Sequence, residues 1–310
     1  MNSLTIVTYH YVRDLAASAF PRLAACDAAR FERQLDHIAG AYAVVGQDAV
    51  LEALDGGAPL PENACLLTFD DGYRDHADLC APALARRGWS GVFFPTASSS
   101  GDRRLLEVNK IQFVLAACDD RAALRAELIA LIEENRNAET PALAELDAAW
   151  HKPGRWDDAD TTFVKRVLQQ GLQPGLRDML ADILFTRHVS ADEAAFAEGL
   201  YLGCDDIAAM ADAGMAFGSH GARHIRMPLL DDETLADDLD RSLAFLAGAG
   251  IDLSGGWSLC YPHGAQDARV RAAAAARGCR LAVTIEPRRA EIGDDDPLAL
   301  PRLDTNDLPA

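Results

Sequence analysis

Apolar runs and amphipathic segments alternate at both ends of this 310-residue chain. Short apolar runs, typical of buried strands, lie at residues 3–10, 42–45, 65–69, 91–95, 214–217, 259–261 and 281–285. Segments with helical periodicity lie between them, at residues 26–39, 48–54, 74–87, 205–213, 231–248 and 265–277. Alternation of strands and helices is expected of a parallel sheet or barrel. The pattern therefore predicts an α/β fold.

The pattern changes between about residues 105 and 199, which are rich in Ala, Leu, Glu and Arg. Long helical periodicity covers residues 121–135 and 142–150 there, and strand patterns are few. Because this is too much helix for one crossover between neighbouring strands, we expect a helical insertion that serves as a lid or an oligomerisation surface. Residues 150–156 form a predicted loop whose tryptophans stack on a sugar or pack against the rest of the protein.

The apolar run at residues 66–69 ends abruptly in Asp70, Asp71 and Gly72. A buried strand in a parallel fold presents such groups at its carboxyl end, where ligands collect. Two neighbouring carboxylates repel each other, so burial of both requires a nearby cation or one protonated group. The alternative is a solvated turn that opens the next helix, since Asp caps helices and Gly permits tight turns.

A second polar group follows the short predicted strand at residues 214–217. His220 and His224 stand four residues apart, a spacing that places both rings on one side of a helical turn. Alone, this spacing is also typical of a surface histidine pair. Together with one carboxylate from the Asp pair, it predicts a two-histidine, one-carboxylate site with open coordination positions, suited to hydrolytic zinc or non-haem iron.

The sequence Thr68-Phe69-Asp70-Asp71-Gly72 followed by His220-x-x-x-His224 resembles the first two motifs of the polysaccharide deacetylases, also called the NodB-homology family or carbohydrate esterase family 4. The resemblance covers residues 66–96 and 200–228 well and the last third of the chain loosely. It implies a distorted (β/α) barrel and a metal-dependent amide hydrolase. Residue by residue, it makes Asp70 the general base and makes Asp71, His220 and His224 the ligands of a divalent metal, Zn²⁺ in the first place, with Fe, Co or Ni as alternatives.

The family's third motif, of the type Arg-Pro-Pro-Tyr-Gly, corresponds to residues 260–264. Cys260 stands where the arginine would be and His263 where the aromatic residue would be, a variant that resembles the poly-N-acetylglucosamine deacetylases. The resemblance implies that a backbone N–H of this motif serves the oxyanion. Arg302 is a candidate to replace the missing arginine beside Asp70, with a surface ion pair as the alternative. A further departure is Gly221, where the family usually has Ser or Thr. The predicted substrate-binding residues are Tyr73, Tyr261, His263 and Arg302.

The predicted reaction also needs a general acid for the leaving amine. In the family, a histidine near the carboxyl terminus commonly serves, but residues 281–310 contain none. His10 is the candidate, because the first strand would place it at the same barrel mouth as Asp70. The alternatives are that His10 is only a polar strand end and that His263 supplies the proton. His76, on the helix after the first motif, is expected to face solvent.

Composition narrows the classes of function. The chain is 49% hydrophobic, enough for one large barrel domain over residues 1–310 with the insertion at 105–199. The net charge of −19 and the pI near 4.7 argue against a nucleic-acid or anionic-membrane partner. No apolar run approaches the length of a membrane span. Seven cysteines without a C-x-x-C pair and the lack of a secretory leader predict a reduced, cytoplasmic protein.

We therefore expect an N-deacetylase that acts on an amino sugar within a glycan or linked to a lipid or nucleotide. One alternative is an amide hydrolase of a small non-sugar compound, similar to allantoinase. The other is a catalytically silent glycan-binding member of the family. A homo-oligomer formed through the insertion is a further possibility that the sequence leaves open.

Overall fold

The computed structural model describes residues 3–154 and 157–309. Trp156, one of the tryptophans considered for sugar stacking, lies outside these residues. The chain divides into two compact units. The first consists of Met1–Asp14, Ala25–Arg104 and Ala197–Ala310, and the second of Leu15–Ala24 and Leu105–Phe196. The sequence pattern did not indicate that Leu15–Ala24 groups with the helical second unit.

All strands of the described residues lie in the first unit. They are β1 Ser3–Tyr9, β2 Val12–Arg13, β3 Cys26–Asp27, β4 Ala43–Val44, β5 Ala64–Asp71, β6 Val92–Pro95, β7 Ala216–Phe217, β8 Trp257–Cys260, β9 Cys279–Val283, β10 Ala290–Glu291 and β11 Leu303–Asp304.

The α-helices of the described residues follow the order that the sequence predicts. They are α1 Ala28–Ala41, α2 Gln47–Leu54, α3 Ala81–Ala85, α4 Glu107–Ala117, α5 Arg121–Glu134, α6 Leu143–Trp150, α7 Ala159–Arg166, α8 Pro174–His188, α9 Glu193–Leu200, α10 Cys204–Asp212, α11 Asp232–Gly248 and α12 Ala268–Ala275. None of these helices is both long enough and apolar enough to cross a bilayer.

The pairing of the strands confirms an α/β fold with a parallel sheet. Parallel ladders join β1 to β5, β5 to β6, and β6 to β7. A bridge between Ser219 and Leu259 continues to β8, which pairs with β9, and a bridge between Val283 and Leu300 leads to the last segment. Because β11 pairs with β1, the pairings run in a cycle. This arrangement is consistent with the distorted barrel that the family resemblance implies.

Alternate side chains along β1 and β5 enter two different apolar layers, as expected of strands that are covered on both faces. Leu4, Ile6 and Leu66 join side chains from β6, β8 and β9 in one layer. Tyr9 and Phe69 belong to the other layer, which includes residues of α1 and α10. Burial on both faces explains why β5 reads as a continuous apolar run and why its last residues are held rigidly.

The predicted helix at residues 74–87 is helical over residues 74–85, but it is not a regular α-helix. After residues 74–75 it passes through a π-helix, His76–Cys80, and continues as α3. Pro82, at the start of α3, has no N–H to donate to the preceding turn, so the regular α-helical ladder is interrupted there. The π-helical turn lies directly after the Asp pair, a place where such turns are often functional.

Candidate metal centre

The parallel pairing of β1 with β5 brings the first site residues together. The ladder ends with Tyr9 opposite Phe69, so His10 and Asp70 follow side by side at the carboxyl edge. Asp70 and Asp71 are only 2% and 4% exposed, which excludes a solvated turn. β5 continues through both carboxylates, two residues further than the apolar run indicates.

Asp71 is turned toward the histidines by an unusual backbone. Its φ is +71°, and the φ of Gly72 is +70°. A Cβ on Gly72 would lie 2.7 Å from the Cβ of Pro95, so only glycine fits at this position. The strand end is therefore built to direct one carboxylate of the pair away from the other.

Tyr73 and Tyr261 were predicted to bind substrate, and the structure corrects this interpretation. Both side chains are buried, at 0% and 1% exposure. The Tyr73 hydroxyl donates to Asp71 Oδ2 over 2.6 Å, and the Tyr261 hydroxyl donates to the Leu298 carbonyl over 2.8 Å. Buried tyrosine hydroxyls need such partners, so these two side chains stabilise the site and do not reach a substrate.

His220 and His224 converge, but not on a helical turn as predicted. The segment that carries them is irregular, with a φ of +71° at Gly221 and +55° at His224. Asp238 of α11 holds this loop, because its carboxylate accepts from the Ala222 N–H and from Arg223 Nε, each over 2.9 Å. A Cβ on Gly221 would lie 2.8 Å from the Asp238 carboxylate. Glycine therefore stands at this position because the loop requires it.

The three predicted ligands have the spacing of metal donors. Asp71 Oδ1 lies 3.3 Å from His220 Nε2 and 3.4 Å from His224 Nε2. Bonds of about 2.0–2.1 Å in a tetrahedral arrangement place donor atoms about 3.4 Å apart. Asp71 Oδ1 is buried and has no hydrogen-bond partner among the described residues, although buried acceptors are normally satisfied. A cation between the three atoms would satisfy it.

The tautomer of His220 agrees with this assignment. Its Nδ1 lies 2.7 Å from the Cys260 carbonyl, and since a carbonyl only accepts, we assign the proton to Nδ1. The lone pair of Nε2 then faces Asp71. This is the usual arrangement of a metal-ligating histidine, whose second nitrogen is fixed by a backbone carbonyl. The residues present therefore fit a divalent metal.

Arg302 is buried, at 2% exposure, so the alternative of a surface ion pair is wrong. Its Nη1 and Nη2 donate to the two carboxylate oxygens of Asp70, each over 2.8 Å. It also donates to Thr68 Oγ1, the Thr284 carbonyl and Cys260 Sγ. Burial alone would raise the pKa of Asp70, but the Arg302 guanidinium outweighs burial and holds this pKa well below its usual value. With its fork occupied by Asp70, Arg302 fixes the Asp70 carboxylate and is not placed to bind substrate, as it was predicted to do.

We expect Arg302→Met to lower the free energy of unfolding by about 3–5 kcal/mol, because removal of one partner leaves the other charge buried and uncompensated. Equilibrium unfolding in urea measures this change. The matched control is Arg288→Met, which removes an exposed bidentate pair with Asp295 and should cost less than about 1 kcal/mol. Equal effects of the two substitutions would contradict the role of the buried pair.

His10 and His263 complete the set of predicted site residues. His10 Nε2 lies 3.8 Å from Asp70 Oδ2, and the His10 side chain is 46% exposed. The ring centroid of His263 lies 4.6 Å from that of His224. Both imidazoles therefore border the cluster, His10 on the side of the proposed base and His263 on the side of the metal ligands.

Backbone strain is concentrated in this cluster. The described residues include five non-glycine positions with positive φ, and three of them are Asp71, His224 and His263. Each such conformation costs about 1–3 kcal/mol and persists only where the surroundings enforce it. Three of the five belong to one cluster, so the surrounding contacts hold these residues in conformations that they would rarely adopt otherwise.

The comparison with known sequences agrees with this geometry. The family model for polysaccharide deacetylases matches residues 181–282, a segment that includes His220, His224 and the third motif. Over this segment, which is about a third of its length, the chain is similar to the polysaccharide deacetylases. Its curated relatives include the poly-β-1,6-N-acetyl-D-glucosamine N-deacetylase of Escherichia coli K12, which is 33% identical over 98 residues. That alignment covers 31% of this chain and 14% of the relative.

Solved structures of polysaccharide deacetylases share the fold of this chain. IcaB from Ammonifex degensii gives a TM-score of 0.58 at 17% identity, over 97% of this chain and 91% of IcaB. The Streptococcus pyogenes deacetylase PplD, solved in complex with acetate, gives 0.58 at 13% identity, over 97% of this chain and 92% of PplD. These likenesses confirm the predicted fold class over nearly the whole chain.

Two contributors to the site could not be identified from the sequence. Asp238 is one of several acidic residues on α11 and is 1% exposed, yet it has no distinguishing neighbour in the sequence. His76 was expected to face solvent, and this prediction is wrong, because it is fully buried. Its Nε2 lies 2.9 Å from the His10 carbonyl, a contact between residues that are 66 positions apart in the sequence.

Proposed function

We propose that the protein is a metal-dependent deacetylase that removes N-acetyl groups from an N-acetylglucosamine-containing glycan. The observation that carries the proposal is the set of three donor atoms spaced as metal ligands beside a second buried carboxylate. Zn²⁺ is the proposed ion, because two imidazoles and one carboxylate with open positions form a hydrolytic zinc site. Fe, Co and Ni remain alternatives.

The proposed reaction cleaves the amide C–N bond by attack of water on the carbonyl carbon. Asp71, His220 and His224 would hold a divalent ion, which when bound would supply Lewis-acid polarisation of the carbonyl and a lower pKa of the attacking water. Asp70 accepts the proton of that water, and Arg302 keeps Asp70 ionised and correctly oriented. His10 donates the proton that the leaving amine needs. The products are acetate and a free amino sugar.

The third motif supplies the hydrogen-bond donor for the oxyanion. In the turn at Pro262–Gly264, the N–H groups of Gly264 and Ala265 donate to the Tyr261 and Pro262 carbonyls. We assign the N–H of His263 to the negative charge that develops on the carbonyl oxygen. Its φ of +58° sets the direction of this peptide group. The ring of His263 is then a border of the site and not a proton donor.

The relatives support the proposed substrate class. The curated relative named above is a deacetylase of poly-β-1,6-N-acetyl-D-glucosamine, and the third-motif variant resembles that group. The two rival functions are hydrolysis of a small non-sugar amide and glycan binding without catalysis. The geometry of the donor atoms favours catalysis over binding, and the relatives favour a sugar over a ureide.

The test is release of acetate by purified protein reconstituted with Zn²⁺. The panel consists of β-1,6-linked N-acetylglucosamine oligomers, chitooligosaccharides and allantoin, with Asp70→Asn as the control for contaminating activity. We expect acetate from the β-1,6 oligomers and none from the control. Turnover of allantoin without acetate release would establish the small-amide alternative. Binding of oligomers by metal-loaded protein without turnover would establish the silent alternative.

Two predictions from the sequence stay predictions. The cytoplasmic location is tested by cell fractionation with an antibody to the protein. A homo-oligomer is tested by light scattering of the purified chain.

A further inference from the structure

The residues that follow the Asp pair contact the residues that follow β1 in three places. The first contact is a hydrogen bond between a histidine and a backbone carbonyl, the second an ion pair, and the third a stack of two rings. The pairs are His76 with His10, Asp75 with Arg13, and Tyr73 with Tyr11. We call Tyr73, Asp75 and His76 the clamp.

His76 makes the contact closest to the site. The β1–β5 ladder ends at Tyr9 and Phe69, so the His10 carbonyl lies beyond the last pair of the sheet. His76 Nε2 lies 2.9 Å from that carbonyl oxygen. Because a carbonyl only accepts, Nε2 carries the proton and donates. Burial lowers the pKa of His76 to about 4, so the ring is neutral near pH 7 and keeps this role.

The other two contacts fix the neighbouring residues. Arg13 donates from Nε and Nη2 to the two carboxylate oxygens of Asp75, each over 3.0 Å. Tyr11 and Tyr73 stack with ring centroids 3.9 Å apart. The hydroxyl of Tyr73 also donates to Asp71, so the clamp connects the segment of His10 to a metal ligand. Bidentate pairs of this kind define orientation as well as distance.

The position of His10 depends on this segment. Its side chain is 46% exposed and its Nε2 stands 3.8 Å from Asp70 Oδ2, longer than a hydrogen bond. Few contacts of its own therefore hold the ring. The backbone from which it projects, in contrast, is held by a fully buried group. A proton donor has to be within hydrogen-bond reach of the leaving group in the productive complex.

We propose that His76 is a positioning residue for His10: its buried Nε2–H fixes the His10 carbonyl and so directs the imidazole toward the leaving amine. The inference rests on the proposed function, in which His10 is the proton donor. His76 itself contacts neither the reacting atoms nor the metal donors. The clamp thereby connects the segment after the Asp pair to the segment after β1. The π-helix that begins at His76 provides the turn from which His76 reaches back to His10.

The test compares His76→Leu with His76→Gln in the Zn²⁺-reconstituted full chain. The amide N–H of Gln reaches about as far as Nε2 of His, so it can donate to the same carbonyl, whereas Leu cannot. We expect His76→Leu to lower kcat at least tenfold with unchanged KM and unchanged zinc content, and His76→Gln to recover most of kcat. If the Leu variant does not fold, His76→Asn replaces it, because its amide is too short to reach the carbonyl.

A double variant separates positioning from general destabilisation. In a His10→Gln background, His76→Leu should lower kcat less than twofold, because the donor that it positions is gone. Loss of kcat by the same factor in both backgrounds would overturn the inference, and so would wild-type kcat in His76→Leu. A wild-type kcat in His10→Gln alone would instead refute the acid role in the proposed function.

A second readout needs no activity. In nuclear magnetic resonance spectra of ring-¹⁵N-labelled protein, the Nε2–H of His76 should appear as a slowly exchanging signal, because the group is buried and hydrogen-bonded. The signal should disappear in His76→Gln. A ring that exchanges its proton freely with water would overturn the inference.

Discussion

Asp71→Ala and His224→Ala should each lose both zinc and turnover, whereas Asp70→Asn should keep zinc and lose turnover. The difference follows from the geometry. Asp71 Oδ1 faces both histidine nitrogens at 3.3 and 3.4 Å, so its removal takes away one of three donors. Asp70 faces Arg302 instead. Loss of a general base lowers kcat by about 10²–10⁴-fold.

The measurement is zinc content by mass spectrometry after dialysis, together with acetate release from the substrate that the panel identifies. Asp294→Ala is the matched control, since it removes an exposed carboxylate outside the site. It should match the wild type in both readouts. Equal zinc content in the Asp70, Asp71 and His224 variants would refute the ligand assignment, even if all three were inactive.

The strand that carries the Asp pair was predictable because its cause is local. Burial on both faces demands a continuous apolar run, and a run that stops at two carboxylates marks where the strand reaches the edge of the sheet. The structure confirms β5 and adds only that the strand continues through Asp71. The functional site could be predicted from this stretch because the apolar run of the strand ends where two carboxylates follow.

The loop of the two histidines was not predictable in the same way. A spacing of four residues fits a helical turn and an irregular loop equally well, and the sequence does not show that Gly221 and His224 adopt positive φ. The choice depends on Asp238, which accepts two hydrogen bonds from the loop. The chemistry of the ligands was therefore recognisable while the backbone that presents them was not.

Arg302 illustrates the limit of spacing arguments. It lies 232 residues from Asp70 along the chain, and no periodic pattern relates such positions. Its replacement of the family's arginine was a hypothesis with a surface ion pair as the alternative. The choice between them depends on whether the Arg302 side chain is buried. That burial results from the pairing of β11 with β1, which the sequence does not show. The prediction for His76 was wrong for the same reason: its place on a helix does not show which face is covered, and tertiary contacts bury the ring.

The second large effect concerns His10, for which we expect His10→Asn and His10→Gln to lower kcat by about 10²–10⁴-fold with normal zinc content. Cleavage of an amide requires a proton on the leaving nitrogen, and no histidine stands in the C-terminal residues 281–310. His10 lies 3.8 Å from Asp70, so its ring borders the proposed base at the mouth of the site. The hydrogen bond from His76 Nε2 to the His10 carbonyl holds the backbone of His10 in place.

The pH dependence of kcat distinguishes a proton donor from a residue that only binds substrate. A donor has to be protonated, so the wild-type rate should fall at high pH, and this alkaline limb should disappear in both His10 variants. The control is His263→Phe, which keeps the backbone N–H and removes the other imidazole at the border of the site. It should retain most of the activity and the alkaline limb. The opposite result would be wild-type turnover in His10→Gln together with loss of the alkaline limb in His263→Phe. It would show that His263, and not His10, is the proton donor.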